Sequence, residues 1–91
     1  MRFTWHGNLN DPESIENLIA AADRGDVDAQ VRLAFELTRG VLLERTLEKA
    51  AQYYALAAEQ NSAIAQHNLA TMYLNGQGVE CSKARAIHWF E

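Results

Sequence analysis

One cysteine and one proline are all that this chain of 91 residues has of either. The lone Cys81 excludes an intrachain disulfide and any cysteine-built metal cluster. With a single proline and five glycines, no Pro-rich or Gly-rich linker marks the start of a second domain. Basic residues are scarce as well: 8 Lys and Arg stand against 12 Asp and Glu, for a formal charge of -4. A chain so short of positive charge lacks the basic face that nucleic-acid phosphates require. No apolar run is long enough for a membrane span, and the opening MRFTWHGNLNDPES has no signal-peptide core. The expectation is one small cytoplasmic domain with no nucleic-acid and no membrane partner.

What the chain does have is a rhythm. Hydrophobic residues make up 48% of it, enough for a modest core. Ala29, Gln30, Leu33, Ala34, Gly40, Glu44 and Ala50 recur 36 residues later as Ala65, Gln66, Leu69, Ala70, Gly76, Glu80 and Ala86. Tyr53-Tyr54 is answered by Trp89-Phe90, and Ala21-Ala22 by Ala57-Ala58. A period of this length is the mark of stacked repeats, each too small to cover its own apolar face.

Within one period the spacing predicts two helices. Ala29, Leu33, Ala34 and Leu37 lie on one helical face, as do Ala65, Leu69, Ala70, Met72 and Tyr73, and the helix between turns Ala50, Tyr53, Tyr54, Ala57 and Ala58 inward. Gly40 and Gly76 follow where a helix end wants a left-handed residue. Thr46 and Ser82 then occupy N-cap positions. Asp11-Pro12 opens the first helix, with proline in its first turn. Helices are predicted at 12–24, 27–39, 46–60, 63–75 and 82–91, and no segment alternates like a strand. The fold class is all-α: an α/α solenoid of about two 36-residue helix pairs behind a leading helix. Residues 1–11 form an N-terminal arm, 12–25 the leading helix, 26–61 the first repeat and 62–91 an incomplete second one. Phe3, Trp5 and Leu9 give the arm an apolar side suited to the first helix.

Catalytic chemistry finds no footing. Ser14, Ser62 and Ser82 suit helix starts or turns, and no Gly-x-Ser-x-Gly elbow occurs. Cys81 lies near Lys83 but in an ordinary turn, where a filler role outweighs a nucleophilic one. His6, His67 and His88 lack the spacing of a zinc site. Asp26 and Asp28 suit a helix start complementing its dipole. Gly76-Gln77-Gly78 lacks the strand and third glycine of a nucleotide loop. No enzyme, cofactor or metal is expected.

The strings AAEQNSAIAQHNLATMYLNGQGV and KARAIHWF resemble the Sel1-like repeat (SLR) family, relatives of the tetratricopeptide repeats. The matching positions are Ala57-Ala58-Glu59-Gln60, Ala65-Gln66, Leu69-Ala70, Tyr73, Gly76-x-Gly78-Val79, Lys83 or Arg85-Ala86, and Trp89-Phe90. Asn61 and Ala70 stand where the family favours glycine, and Gly40-Val41-Leu42-Leu43 replaces the two-glycine turn. The resemblance spans roughly residues 17–91. It implies a protein–protein interaction module, an adaptor or scaffold, with a partner on the concave face. The alternative is a small inhibitor, such as a bacterial immunity-type protein, blocking one effector.

With the first helix of each repeat lining that face, register exposes Val31, Arg32, Phe35 and Arg39 in one row. Asp28 and Thr38 join that row. His67, Asn68, Thr71 and Asn75 form the second row, with Ile64 and Leu74 beside them. Phe35 and Arg32 are the expected anchors, since aromatic and Arg residues dominate binding hot spots. The last helix ends in Ile87, Trp89 and Phe90 with no recognisable polar cap. Three outcomes stay open for it: a homodimer through that solenoid end, a longer array, or packing back onto Leu69 and Tyr73.

Overall fold

The computed structural model describes residues 12–40 and 46–90, and among them every element is a helix. The helices are α1 (Pro12–Asp23), α2 (Val27–Arg39), α3 (Leu47–Glu59), α4 (Ala63–Asn75) and α5 (Lys83–Phe90). Each lies within one or two residues of the range predicted from periodicity. The N-terminal arm with Phe3, Trp5 and Leu9, the Val41–Leu43 turn and Glu44 lie outside the described residues.

Local chemistry sets each helix end. Asp26 caps α2, its carboxylate accepting from Ala29 N–H at 3.0 Å. Ser62 does the same for α4, accepting from Ala65 N–H at 3.3 Å. Ser82 likewise accepts from Arg85 N–H at 3.2 Å. Thr46 occupies the N-cap of α3 as expected, but its side chain makes no capping hydrogen bond. Gly40 and Gly76 close α2 and α4 in the left-handed conformation, donating back to the carbonyls of Glu36 and Met72. Asn61, which stands where the family favours glycine, takes a φ of 70° and so supplies the same turn as Gly25.

The helices pack in chain order, α1 on α2, α2 on α3, α3 on α4 and α4 on α5, in a body of 39 × 29 × 17 Å. Alanine makes that stacking close. Ala29, Ala34, Ala50, Ala57, Ala65, Ala70 and Ala86 are fully buried, letting backbones approach, while Leu18, Leu33 and Leu69 fill what is left. The repeated glutamine has its own task. Gln30 donates its amide to Ala22 O at 3.0 Å, and Gln66 donates to Ala58 O at 3.1 Å. Each therefore reaches eight residues back to a carbonyl at the end of the preceding helix, where intrahelical donors run out. Gln30 also accepts from Gln60 Nε2 at 3.0 Å, which ties in the end of α3. Gln30→Leu is expected to lower stability by about 1–2 kcal/mol, read by urea unfolding. A neutral result would mean that the amide contributes no more than its volume.

A second link joins α1 to α3. The Tyr53 hydroxyl donates to Asp23 Oδ1 at 2.8 Å. Burial, that bond and the charge of Asp23 push the phenol up to about 12 from an ordinary value of 10.0. The folded state thus holds this proton more tightly than the unfolded chain does. The resulting stability is complete below about pH 10 and is lost as pH rises through about 12. Tyr53→Phe should flatten the alkaline limb of a stability-versus-pH curve. An unchanged limb would show that other groups carry it.

Candidate functional site

α2 and α4 both pack on α3, and a groove opens between them. One part holds about 280 Å³ and is lined by Asp28, Val31, Arg32, Phe35, Ser62, Ile64 and Asn68, with Tyr54 of α3. It continues past Phe35, Tyr54 and Asn68 into a further space of about 250 Å³. There Thr38, Thr71, Met72 and Gln77 join the lining. The helical period explains this lining. Buried Leu33, Ala34 and Leu37 turn one side of α2 to the core, so Val31, Arg32 and Phe35 flank the groove instead.

Phe35 and Ile64 are the apolar features of the groove, 45% and 64% exposed. Tyr54 is buried yet lines both parts. Its burial raises the phenol pKa, while hydrogen bonds with Asn68 and Thr38 pull the other way. Those bonds connect α2, α3 and α4 at one point. Thr38 also donates its hydroxyl to Ala34 O at 2.8 Å.

Charge is organised around one buried carboxylate. Glu36 is 1% exposed, and among the described residues neither carboxylate oxygen has a hydrogen-bond partner. Arg32 Nη2 approaches its Oε1 to 3.3 Å and Arg39 Nη1 to 3.6 Å. Both arginines are otherwise well exposed. The Arg39 guanidinium also lies 5.3 Å from the centre of the Phe35 ring. The two cations therefore share one oxygen of a carboxylate withdrawn from water.

Of the residues expected on the partner-facing rows, Val31, Arg32, Phe35, Asn68 and Thr71 line this groove. Arg39 flanks it through Phe35. His67 and Asn75 are exposed on α4 but do not line it. Tyr54, Met72, Gln77 and Glu36 went unassigned to the site in the sequence. Tyr54 and Met72 read there as ordinary core, and Glu36 shares the buried side of α2 with Gln30 and four apolar residues. The one available signal was the period, which sets Glu36 opposite Met72.

At the other end of the chain, Ile87 is 56% exposed, whereas its counterpart one period earlier, Ala51, is 3% exposed. Trp89 packs partly against the core. The backbone of Phe90 completes α5, and its side chain lies outside the described residues. Cys81 donates its thiol to Leu74 O at 3.2 Å beside a hollow of about 430 Å³. Arg85 in that hollow sits over the Tyr73 ring. Among the described residues no group of His, Cys, Asp and Glu could hold a metal, and no helix is long and apolar enough to cross a membrane.

The model of the Sel1 repeat matches residues 27–62 and 63–91. A Sel1 repeat protein from Oxalobacter formigenes is 39% identical, with a TM-score of 0.81. The match covers 87% of this chain and 23% of that one. A protective antigen present in uropathogenic Escherichia coli strains, which displays an SLR fold, is 29% identical with a TM-score of 0.82. That match covers 91% of this chain and 17% of the antigen. The chain thus spans less than a quarter of either structure's length. No curated protein matches it.

Proposed function

This chain belongs to the Sel1 repeat family, and from that membership we propose that it is a protein-binding module whose partner docks in the groove between α2 and α4. Sel1 repeats form a non-catalytic helical fold that generally mediates protein–protein interaction. The observation that carries the reading is Phe35, an aromatic side chain held 45% exposed beside Arg32 and Ile64 in a groove backed by Tyr54. A large apolar side chain kept in water by a rigid scaffold suits a binding anchor, and an arginine beside it is the usual companion.

Adaptor comes before inhibitor. The net charge of -4 would hasten encounter with a basic effector, but the groove itself presents Arg32 and, through Phe35, Arg39. The test is a tagged pull-down from the native cell extract, run beside a Phe35→Glu plus Arg32→Glu double variant of unchanged helicity. A protein retained by the parent and lost by the variant supports the groove. Equal retention by both moves the site elsewhere. One tight, salt-sensitive partner would favour the inhibitor, and several weaker partners the adaptor.

Ile87 favours a second reading, self-association through the α5 end, because its counterpart Ala51 is covered. A twofold dimer is the usual closed arrangement for such a face. Light scattering that reported a monomer across the micromolar range would rule it out.

A further inference from the structure

Beside the groove, paired with Arg32 of its lining, lies one residue that folding alone does not explain. Glu36 and Met72 are equivalent by the 36-residue period, and both are buried, at 1% and 5% exposure. A thioether fills that position in the second repeat without difficulty. A carboxylate there must leave water, and neither of its oxygens gains a hydrogen bond from the described residues. Among the described residues its charged partners are the two guanidiniums, at 3.3 and 3.6 Å on a single oxygen. Glu36 offers one oxygen to two cations, and each guanidinium has five N–H donors, more than that oxygen takes up. Beside it lies the exposed ring of Phe35, with Arg39 over its face. The cations therefore border an apolar anchor, and Asp28 of the same lining lies one turn before Arg32.

We propose that the groove takes an acidic–hydrophobic segment of its partner, and that Glu36 is the positioning residue that holds Arg32 and Arg39 for it. In this complex a large apolar side chain of the segment rests on Phe35 and Ile64. An Asp or Glu carboxylate next to it, or one residue away, meets the two guanidiniums, whose planar fork suits a carboxylate. The apolar lining requires the anion to be joined to an apolar group. That apolar lining sets a peptide above a nucleic acid or free phosphate. The inference rests on the groove being the protein-binding face.

A random linear-peptide library displayed on phage, panned against the full chain, tests the inference. The expected enrichment is of peptides with Phe, Trp, Leu or Ile next to, or one residue from, Asp or Glu. Resynthesised and labelled, such peptides should bind about tenfold more weakly to Arg39→Ala. Replacing their acidic residue by Ser should have the same effect, with the two changes together no worse than either alone. Glu36→Met is the decisive variant. It should raise the thermal midpoint of the chain and still weaken these peptides about fivefold or more. A Glu36 with only a structural role would leave affinity unchanged, and that result would overturn its assignment. Enrichment of basic or neutral peptides that Phe35→Glu abolishes would overturn the acidic segment and leave the groove standing. No enrichment, or enrichment indifferent to Phe35→Glu, would overturn the proposal together with the groove on which it rests.

Discussion

Gly78→Ala is expected to lower stability by about 3 kcal/mol or more, far beyond what its neighbour Gly76→Ala does. Both glycines sit in the left-handed region, at φ of 72° and 66°. Their surroundings differ. A Cβ on Gly78 would run into the carbonyl of Leu47 and come within 2.8 Å of Glu48 N, both backbone atoms at the start of α3. Backbone cannot swing aside as a side chain can, so the turn after α4 would have to lift off α3. A Cβ on Gly76 meets nothing closer than Cys81 Cβ at 3.4 Å, an ordinary contact. Only conformational strain remains there, about 1 kcal/mol. Urea unfolding of the two variants under identical conditions separates the effects. Equal losses would refute the steric account and leave φ as the whole explanation.

Leu69→Ala should cost about 3–4 kcal/mol. Leu69 is 1% exposed in a core where, among the described residues, 11 of the 17 buried apolar ones are alanine. Alanines have no spare length with which to close a cavity, so the void persists and the loss falls in the upper range for such truncations. Small domains bury a lower fraction of their surface, which leaves little in reserve. A single urea transition should move to lower denaturant as one unit. A loss below about 1 kcal/mol would show that the surrounding helices collapse onto the gap.

The helices were legible because one signal repeats. Ala-Gln, Leu-Ala and Gly recur at the same offset, so each boundary was read twice. α2 and α4 accordingly begin and end where periodicity put them. The lining of the groove was legible in part. Phe35, Arg32 and Asn68 follow from turning a helical wheel away from Leu33 and Leu69, and they do line the groove. His67 and Asn75 satisfy the same wheel yet stand apart, because a groove has depth and a register has only direction. Tyr54 was read as core and is core, but a phenol bonded to Asn68 and Thr38 also shapes the surface above it. Thr46 has the right residue type at the right place for a cap and makes no such bond. Composition records that a hydroxyl is available, whereas the side-chain rotamer decides where it goes. Glu36 was the least legible, since a charged residue on a helix usually reads as solvated.

The glutamine bonds have a direction. In both repeats the donor follows its acceptor by eight residues, Gln30 after Ala22 and Gln66 after Ala58. A ribosome makes the acceptor first and the donor about a second later. Each nascent helix end is therefore completed by the residues next to emerge, and none has to wait for a distant part of the chain. Growth by whole repeats needs no revision of what is already folded.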